Sequence, residues 1–311
     1  MDNQVEDSQE KPYIAVLRKA LKTAWWVIRI VLPTSFIVSL SDFYGVIPFI
    51  SVYTEPVMQL IGLPGRAAVA YITSLFLPLY VAIAAMGSLA LNLREVSILA
   101  LMCLLAHNLP VECAVQKKCG LPLYQSLGLR IGFSLFGGFL LSLILPQSLA
   151  AQMPNITQTV GEIVTLGDAL RSWAVSTLSL CLKLIVIIAL LMLLQDYLKR
   201  HGVLKIISRP LSPFMKLCGL QPESSFLWLI ANIVGLTYGA GIMAQEVEAG
   251  DTDIDELRHV NRHIALNHSL LEDTTIFAML GVGWYWLIVP RFLFALVAVW
   301  SSKLIQRIRK K

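Results

Sequence analysis

Apolar residues run along this chain in long blocks. Six blocks, at 24–41, 67–91, 124–145, 173–195, 226–245 and 284–301, approach or exceed the roughly 20 residues that carry a helix across a bilayer. Two shorter apolar stretches, 98–115 and 264–280, are each interrupted by a polar motif. The first reads His107-Asn108-Leu109-Pro110-Val111-Glu112 and the second His268-Ser269-Leu270-Leu271-Glu272-Asp273. Two further segments, 45–63 and 202–220, are too short and too interrupted by proline to cross. They read as amphipathic segments lying near the membrane surfaces.

The polar positions repeat. His107, Glu112, Gly120, Tyr124 and Arg130 recur 161 residues later as His268, Asp273, Gly281, Tyr285 and Arg291. Gly45-Val46, Pro56, Met58 and Gly62-Leu63 recur 157 residues later as Gly202-Val203, Pro213, Met215 and Gly219-Leu220, and Arg29 and Asp42 pair with Lys183 and Asp196 at 154. Composition bias makes Leu match Leu; it does not align His, Tyr, Arg and a carboxylate at one spacing. A duplicated polar constellation in a membrane-like chain predicts a site on a two-fold axis between repeats. The expected organisation is a cytoplasmic N-terminal segment (1–23), a first repeat (24–146), an external linker (147–172), a second, inverted repeat (173–303) and a basic cytoplasmic tail (304–311).

Composition supports the membrane class: 56% of residues are hydrophobic, 14% are charged and mean hydropathy is +0.69, against about a quarter charged in soluble domains. The acidic first ten residues do not form a secretory signal. The five cysteines show no CxxC pair and read as small apolar residues. The net charge of +5 does not point to nucleic acid, because the basic residues gather at one face. If each interrupted stretch is a re-entrant hairpin, each half has three crossings and the second half is inverted. With the N-terminus inside, 17 of the 25 Lys and Arg fall inside, four (Arg66, Arg171, Arg258, Arg262) outside and four within spans, in keeping with the positive-inside rule. Both termini are then cytoplasmic in a bacterial-type inner membrane, and the acidic loop 246–256 is external. Asn155-Ile156-Thr157 is a chance sequon.

Ser269 followed by Glu272 forms a capping-box pattern, and Asn108 followed by Pro110 is its counterpart. Each motif therefore predicts a break at its His and a new half-helix starting within the membrane. Irregular backbone at that depth must be buried in protein or line a cavity, and two half-helix N-termini facing each other suit an anion or a polar ligand. Glu112 and Asp273 fall in the first turns, where a carboxylate inside lipid marks function. His107 and His268 titrate near neutrality and suit proton coupling; His201, His259 and His263 read as solvent-side. Arg130 and Arg291 lie in the third spans, and Arg29 and Lys183 in the first. Two His and the carboxylates have the makings of a divalent-ion site, but His107 and Glu112 do not share a helical face and no thiol supports them. No metal, no cofactor and no enzymatic activity is expected.

These residues resemble a known group. A repeated membrane unit whose broken helix carries HNLPVE in one copy and HSLLED in the other is similar to the nucleoside-recognition, or Gate-domain, membrane proteins. That group includes spore maturation proteins A and B, the membrane part of ferrous iron transport protein B and part of the concentrative nucleoside transporters. The likeness covers roughly residues 20 to 305. It implies inverted repeats, hairpins near the midplane and a transport role, without fixing a substrate. The chain lacks the GTP-binding domain of the iron transporters and is shorter than a complete concentrative nucleoside transporter.

The expected fold is an all-α polytopic membrane protein of two inverted repeats. Each has three transmembrane helices, a re-entrant or broken helical hairpin and an interfacial amphipathic segment. The expected function is transport of a small polar, anionic solute bound by His107, Asn108, Glu112, His268, Ser269 and Asp273. Arg130 and Arg291 supply positive potential, and Glu272, Arg29 and Lys183 balance charge or take part in coupling. Expected partners are the lipid bilayer, the solute, protons or sodium, and a second copy in a homo-oligomer, with no nucleic acid. The alternatives are a non-transporting assembly scaffold of the spore-maturation kind, a flippase for a phosphate-bearing lipid, and a divalent metal ion transporter.

Overall fold

The computed structural model describes residues 12–154, 165–236, 239, 242–243 and 253–309, and among these no strand occurs. The helices are α1 (Pro12–Phe43), α2 (Val46–Gln59), α3 (Ala67–Phe76), α4 (Leu79–Ser88), α5 (Leu93–Leu105), α6 (Leu109–Lys118) and α7 (Leu123–Ile144) in the first half. The second half has α8 (Leu166–Arg200), α9 (Val203–Leu217), α10 (Ser225–Ile233), α11 (Ile254–Asn267), α12 (Leu270–Met279) and α13 (Trp284–Arg309). Among the described residues, five stretches are long and apolar enough to cross a membrane: Tyr13–Phe43, Leu93–Lys118, Leu123–Ile144, Leu166–Arg200 and Trp284–Arg309. The chain is an all-α polytopic membrane protein. The helices run further than the apolar blocks predict: α1 reaches into the N-terminal segment, α8 into the linker and α13 into the tail. The sequon and most of the linker lie outside the described residues, as does much of the acidic loop.

The block 67–91 was expected to cross; it is a hairpin. Pro78 has no amide hydrogen to donate and pushes Leu77 into an extended conformation (φ −120, ψ 162), so α3 stops halfway. The unit's two ends then meet, with Arg66 Nη2 donating to Ala90 O at 2.6 Å. Arms of ten residues rise only about 15 Å each. The HNLPVE stretch, expected to be the hairpin, does not fold back and is long and apolar enough to cross. Helices α5 and α6 run antiparallel to α7 over its whole length. Arg94 bonds Ser142 O (2.5 Å) at one end, Ser134 bonds Met102 O (2.8 Å) next, then Arg130 bonds Leu105 O (3.0 Å). Ser126 bonds Gln116 at the far end. A break bordered by proline folded one apolar run back, while a break at histidine left the other straight.

The second half repeats this pattern as far as it is described. Helix α10 ends at Val234-Gly235, with Gly235 at φ 109, so the predicted span 226–245 also breaks; the rest of that span lies mostly outside the described residues. Helices α11 and α12 pack along α13. The two broken helices pass each other in opposite directions: Asn261, midway along α11, donates to Gln116 O late in α6 (2.8 Å), and Arg258, a turn earlier, donates to Gly120 O (3.3 Å). Arg258 and Arg262 therefore share an end of the bundle with Lys117-Lys118, and Arg94 shares the other end with Arg66. Helices α1 and α8 are antiparallel too, with Trp173 Nε1 donating to Ser35 Oγ at 3.0 Å and Lys19 facing Lys199 at the opposite end.

Duplication is written in the backbone as well. Left-handed residues fall at Gly45 and Gly202, Gly62 and Gly219, Asn108 and Ser269, Gly120 and Gly281, the same 157- and 161-residue offsets as the side chains. The matched turns close alike, Leu63 N to Met58 O (3.0 Å) and Leu220 N to Met215 O (2.8 Å). At Gly62 (φ +74) a Cβ would sit 2.8 Å from Ser142 Cβ, whereas at Gly45 (φ +76) nothing lies within 4 Å. Gly45→Ala is expected to cost about 1–2 kcal/mol from left-handed strain alone. Gly62→Ala is expected to cost a further 1–3 kcal/mol or so from overpacking. Unfolding of the two variants side by side in detergent checks the order.

Both surface segments are helical, as expected. Helix α2 leaves Phe49, Val52, Tyr53 and Val57 exposed, and Trp25, Trp26 and Trp284 are also exposed, the surface a lipid-embedded helix presents.

Candidate functional site

The site lies where the two broken helices meet. Helix α5 ends at Leu105 and α6 starts after Asn108; α11 ends at Asn267 and α12 starts after Ser269. The expected side-chain caps are absent. Asn108 (φ 45, ψ 40) and Ser269 (φ 49, ψ 37) are left-handed and make no cap bond, because a cap side chain reaches the free N–H groups from an extended conformation. Capping boxes form elsewhere, at Asn92–Glu95 and Thr165–Asp168. The two break residues are held instead through their backbone. Asn108 N donates to Ser74 O at the tip of α3 (2.7 Å), and Ser269 N donates to Ala231 O near the end of α10 (3.2 Å). The first arm of the α3–α4 hairpin thus pins one break, and α10 pins the other.

A break also frees carbonyls, and inside lipid each needs a donor. Arg130 and Arg291, both fully buried, supply them. Arg130 Nε bonds Leu105 O and Nη2 bonds His107 O, each at 3.0 Å. Arg291 Nε bonds Leu266 O at 3.1 Å and Nη2 bonds His268 O. Much of each guanidinium's donor capacity is thereby spent on holding the chain.

The histidines bridge the halves. His107 Nδ1 lies 2.9 Å from Cys103 O, and His268 Nδ1 lies 3.1 Å from Ile264 O. A carbonyl only accepts, so both Nδ1 atoms carry hydrogen and both Nε2 atoms turn inward. Glu112 meets both, at 3.0 Å through Oε1 to His107 and at 3.1 Å through Oε2 to His268, and its Oε2 is also 2.6 Å from Arg130 Nη1. The imidazole centroids are 5.3 Å apart. A carboxylate also only accepts, so each contact between Nε2 and Glu112 requires a proton or another cation between the atoms.

The second half does not mirror this arrangement. Asp273 is one methylene shorter than Glu112. Among the described residues, its Oδ2 and Arg291 Nη1 are buried without a hydrogen-bond partner, as are both polar ends of Asn267 and the hydroxyl of Thr274. The corresponding first-half positions are Ala106 and Cys113. His107, His268 and Asp273 bring possible ligand atoms within 4.8 Å of one another. The centre is thus one ion-paired bridge, Arg130–Glu112 with the two imidazoles, beside a set of polar atoms without partners, each of which costs about 1–3 kcal/mol when left alone.

The remaining expected residues fall around this centre or away from it. Glu272 is half-buried and accepts from Tyr80 of the opposite half. Asn108 and Ser269 are half-buried at the breaks. Arg29 is exposed on α1, its guanidinium 5.1 Å from the Trp25 ring, and Lys183 is half-buried on α8. His201 is exposed as expected, but His259 and His263 are buried, with Trp228 Nε1 donating to His263 Nδ1 at 3.0 Å. They face the packing of α11 against its neighbours and not solvent. None of the five cysteines forms a disulfide, and all are buried. Sequence reasoning missed Asn267, Thr274 and Tyr80. The first two were visible as polar residues standing where the other repeat has Ala106 and Cys113.

The fold and centre define a polytopic helical membrane protein with a buried polar site at paired helix breaks. Residues 24–115 match the Gate family model, described as nucleoside recognition. An uncharacterised membrane protein of Bacillus subtilis (strain 168), YvoD, is 30% identical over 280 residues, 88% of this chain and 88% of its own length. No solved structure matches. The chain belongs to the Gate nucleoside-recognition family of membrane proteins.

Proposed function

We propose that this chain is a membrane transporter whose solute binds between the two helix breaks. The observation that carries this reading is the His107–Glu112–His268 bridge between halves, set beside the unpaired atoms of Asp273, Arg291 and Asn267. Buried polar atoms without partners inside a membrane are expensive, and a solute that supplies partners offsets that cost. The solute is small and polar, and His107, Asn108, Glu112, His268, Ser269 and Asp273 surround it. Arg130 is already paired with Glu112 and Arg29 is exposed away from the breaks, so an anionic group on the solute falls to Arg291, whose Nη1 has no hydrogen-bond partner among the described residues.

The halves act as inverted repeats that rock about the breaks to alternate access. Both termini are cytoplasmic in an inner membrane. Taking the folded-back arms as α3–α4 and its counterpart moves Arg258 and Arg262 to the cytoplasmic end and Arg94 to the outer end. That leaves Arg66, Arg94 and Arg171 outside and strengthens the agreement with the positive-inside rule. The donor and acceptor balance at Glu112 supports proton coupling, since a proton arriving or leaving changes whether the bridge holds.

A thermal-shift screen of the purified chain against nucleosides, carboxylates, phosphates and divalent ions tests this reading. One class is expected to raise the melting temperature by several degrees, since a ligand at a hundred times its Kd adds about 2.7 kcal/mol. The gain is expected to vanish in the His107→Ala, His268→Ala double variant. A gain that survives the double variant would place the solute elsewhere.

A further inference from the structure

A cavity of about 620 Å³ opens between α7, α11 and α13 at the end of the bundle that carries Lys117-Lys118. Three arginines line it: Arg258, Arg262 and Arg309. Arg262 is the most telling. It is only 9% exposed, its Nη2 donates to Gln125 Oε1 at 2.8 Å, and its Nη1 is buried with no partner among the described residues. Among the described residues, the acidic side chain paired to the group is Asp255, 2.9 Å from Arg258 Nη1. A guanidinium nitrogen held in a cavity without an acceptor is a site for an anionic oxygen.

The cavity's other wall is apolar, and it does not stop there. Leu129 and Phe133 also line an adjoining groove of about 200 Å³ that continues along Gly128, Gly132 and Phe136. A Cβ added at Gly128 or Gly132 would meet nothing within 4 Å, so the missing side chains leave the groove open. At 1.5 Å per residue the groove begins about 8 Å and ends about 20 Å along α7 from Leu123, within the acyl region. Cations at the rim and an apolar channel running into the bilayer match a phosphate that carries an acyl chain.

We infer that this groove binds an anionic phospholipid of the cytoplasmic leaflet, its phosphate on Arg262, Arg258 and Arg309 and an acyl chain along Gly128 and Gly132. Basic pockets between transmembrane helices on the cytoplasmic side recognise lipid headgroups in this way. The site is separate from the histidine centre and independent of what that centre transports.

Native mass spectrometry of the full chain in detergent, with phosphatidylglycerol, phosphatidylcholine or inorganic phosphate added, tests the inference. The wild type is expected to retain one phosphatidylglycerol at least tenfold better than phosphatidylcholine. Arg262→Ala and Arg309→Ala are expected to reduce that preference. Gly132→Leu, which fills the groove, is expected to weaken retention of both lipids. Arg309 is exposed and Gly132 faces open space, so these two variants remain informative if Arg262→Ala fails to fold. Equal retention of the two lipids, or phosphatidylglycerol retention unchanged in Gly132→Leu, would overturn the inference. Competition by inorganic phosphate as strong as by phosphatidylglycerol would overturn it in favour of a free anion.

Discussion

Arg130→Met is expected to lower the stability of the folded chain by about 3–5 kcal/mol, the cost typical of removing one partner of a buried ion pair. The side chain is fully buried and serves three acceptors: Leu105 O, His107 O and Glu112 Oε2. Methionine fills most of its volume, so the loss reports electrostatics and hydrogen bonding and not a cavity. It leaves two carbonyls at the helix break without donors and the Glu112 carboxylate without its guanidinium. Arg130→Lys keeps the charge, but one ammonium does not reproduce the planar fork that reaches both carbonyls and the carboxylate, so a partial loss is expected. Arg291→Met provides the internal comparison. Arg291 holds Leu266 O and His268 O in the same way, yet its Nη1 has no partner, so its removal strands no paired carboxylate. The expected loss is smaller, about 1–3 kcal/mol, from the stranded carbonyls. Equal losses at the two arginines would mean that the Glu112 contact contributes little.

Glu112→Gln has the second large expected effect, and it falls on function. Glutamate joins both imidazoles only with a proton or another cation between each pair of acceptors. An amide has its own N–H groups, so it donates to one Nε2 without any added proton, while its single oxygen no longer reaches both rings as an acceptor. Solute binding is expected to weaken roughly 10- to 100-fold, the equivalent of a charge-assisted hydrogen bond of about 1.5–3 kcal/mol. The dependence of binding on pH is expected to flatten. Melting-temperature titrations at several pH values read both effects. Asp273→Asn is the control on the unpaired side: it changes affinity while the bridge, and with it the pH response, stays in place. A Glu112→Gln protein with an unchanged pH response would separate the bridge from proton coupling.

Much of the centre was legible in the chain because its parts are duplicated. The 161-residue offset singles out His107, Glu112 and Arg130 with His268, Asp273 and Arg291, and the structure brings all six together. The offset was blind to roles. An arginine inside an apolar run reads as a counter-charge for a ligand; only coordinates reveal that it closes carbonyls left open by a break. The hairpin was misplaced because apolar length reports what can sit in lipid, not whether it crosses. The block 67–91 is long enough to span, but Pro78 folds it back, while the shorter, polar-interrupted block does not fold back. The caps failed for a related reason: Ser269 and Glu272 have the right spacing, yet a left-handed Ser269 removes the geometry the motif needs. Asn267 and Thr274 escaped because they depart from the repeat, and repeat matching selects what is shared. In this centre the departures add Asn267 and Thr274 to the unpaired atoms of Asp273 and Arg291.

The central claim is that the two helix breaks form one polar centre through which a solute passes. Reconstitution into vesicles on a solid-supported membrane, with currents recorded on rapid addition of each small polar solute of the screen, tests it most directly. The expected result is a saturable current for one solute class in the wild-type protein, altered by an imposed pH gradient and lost when His107 and His268 are both alanine in a protein that still folds. A current that persists undiminished in the double-alanine protein would contradict the account.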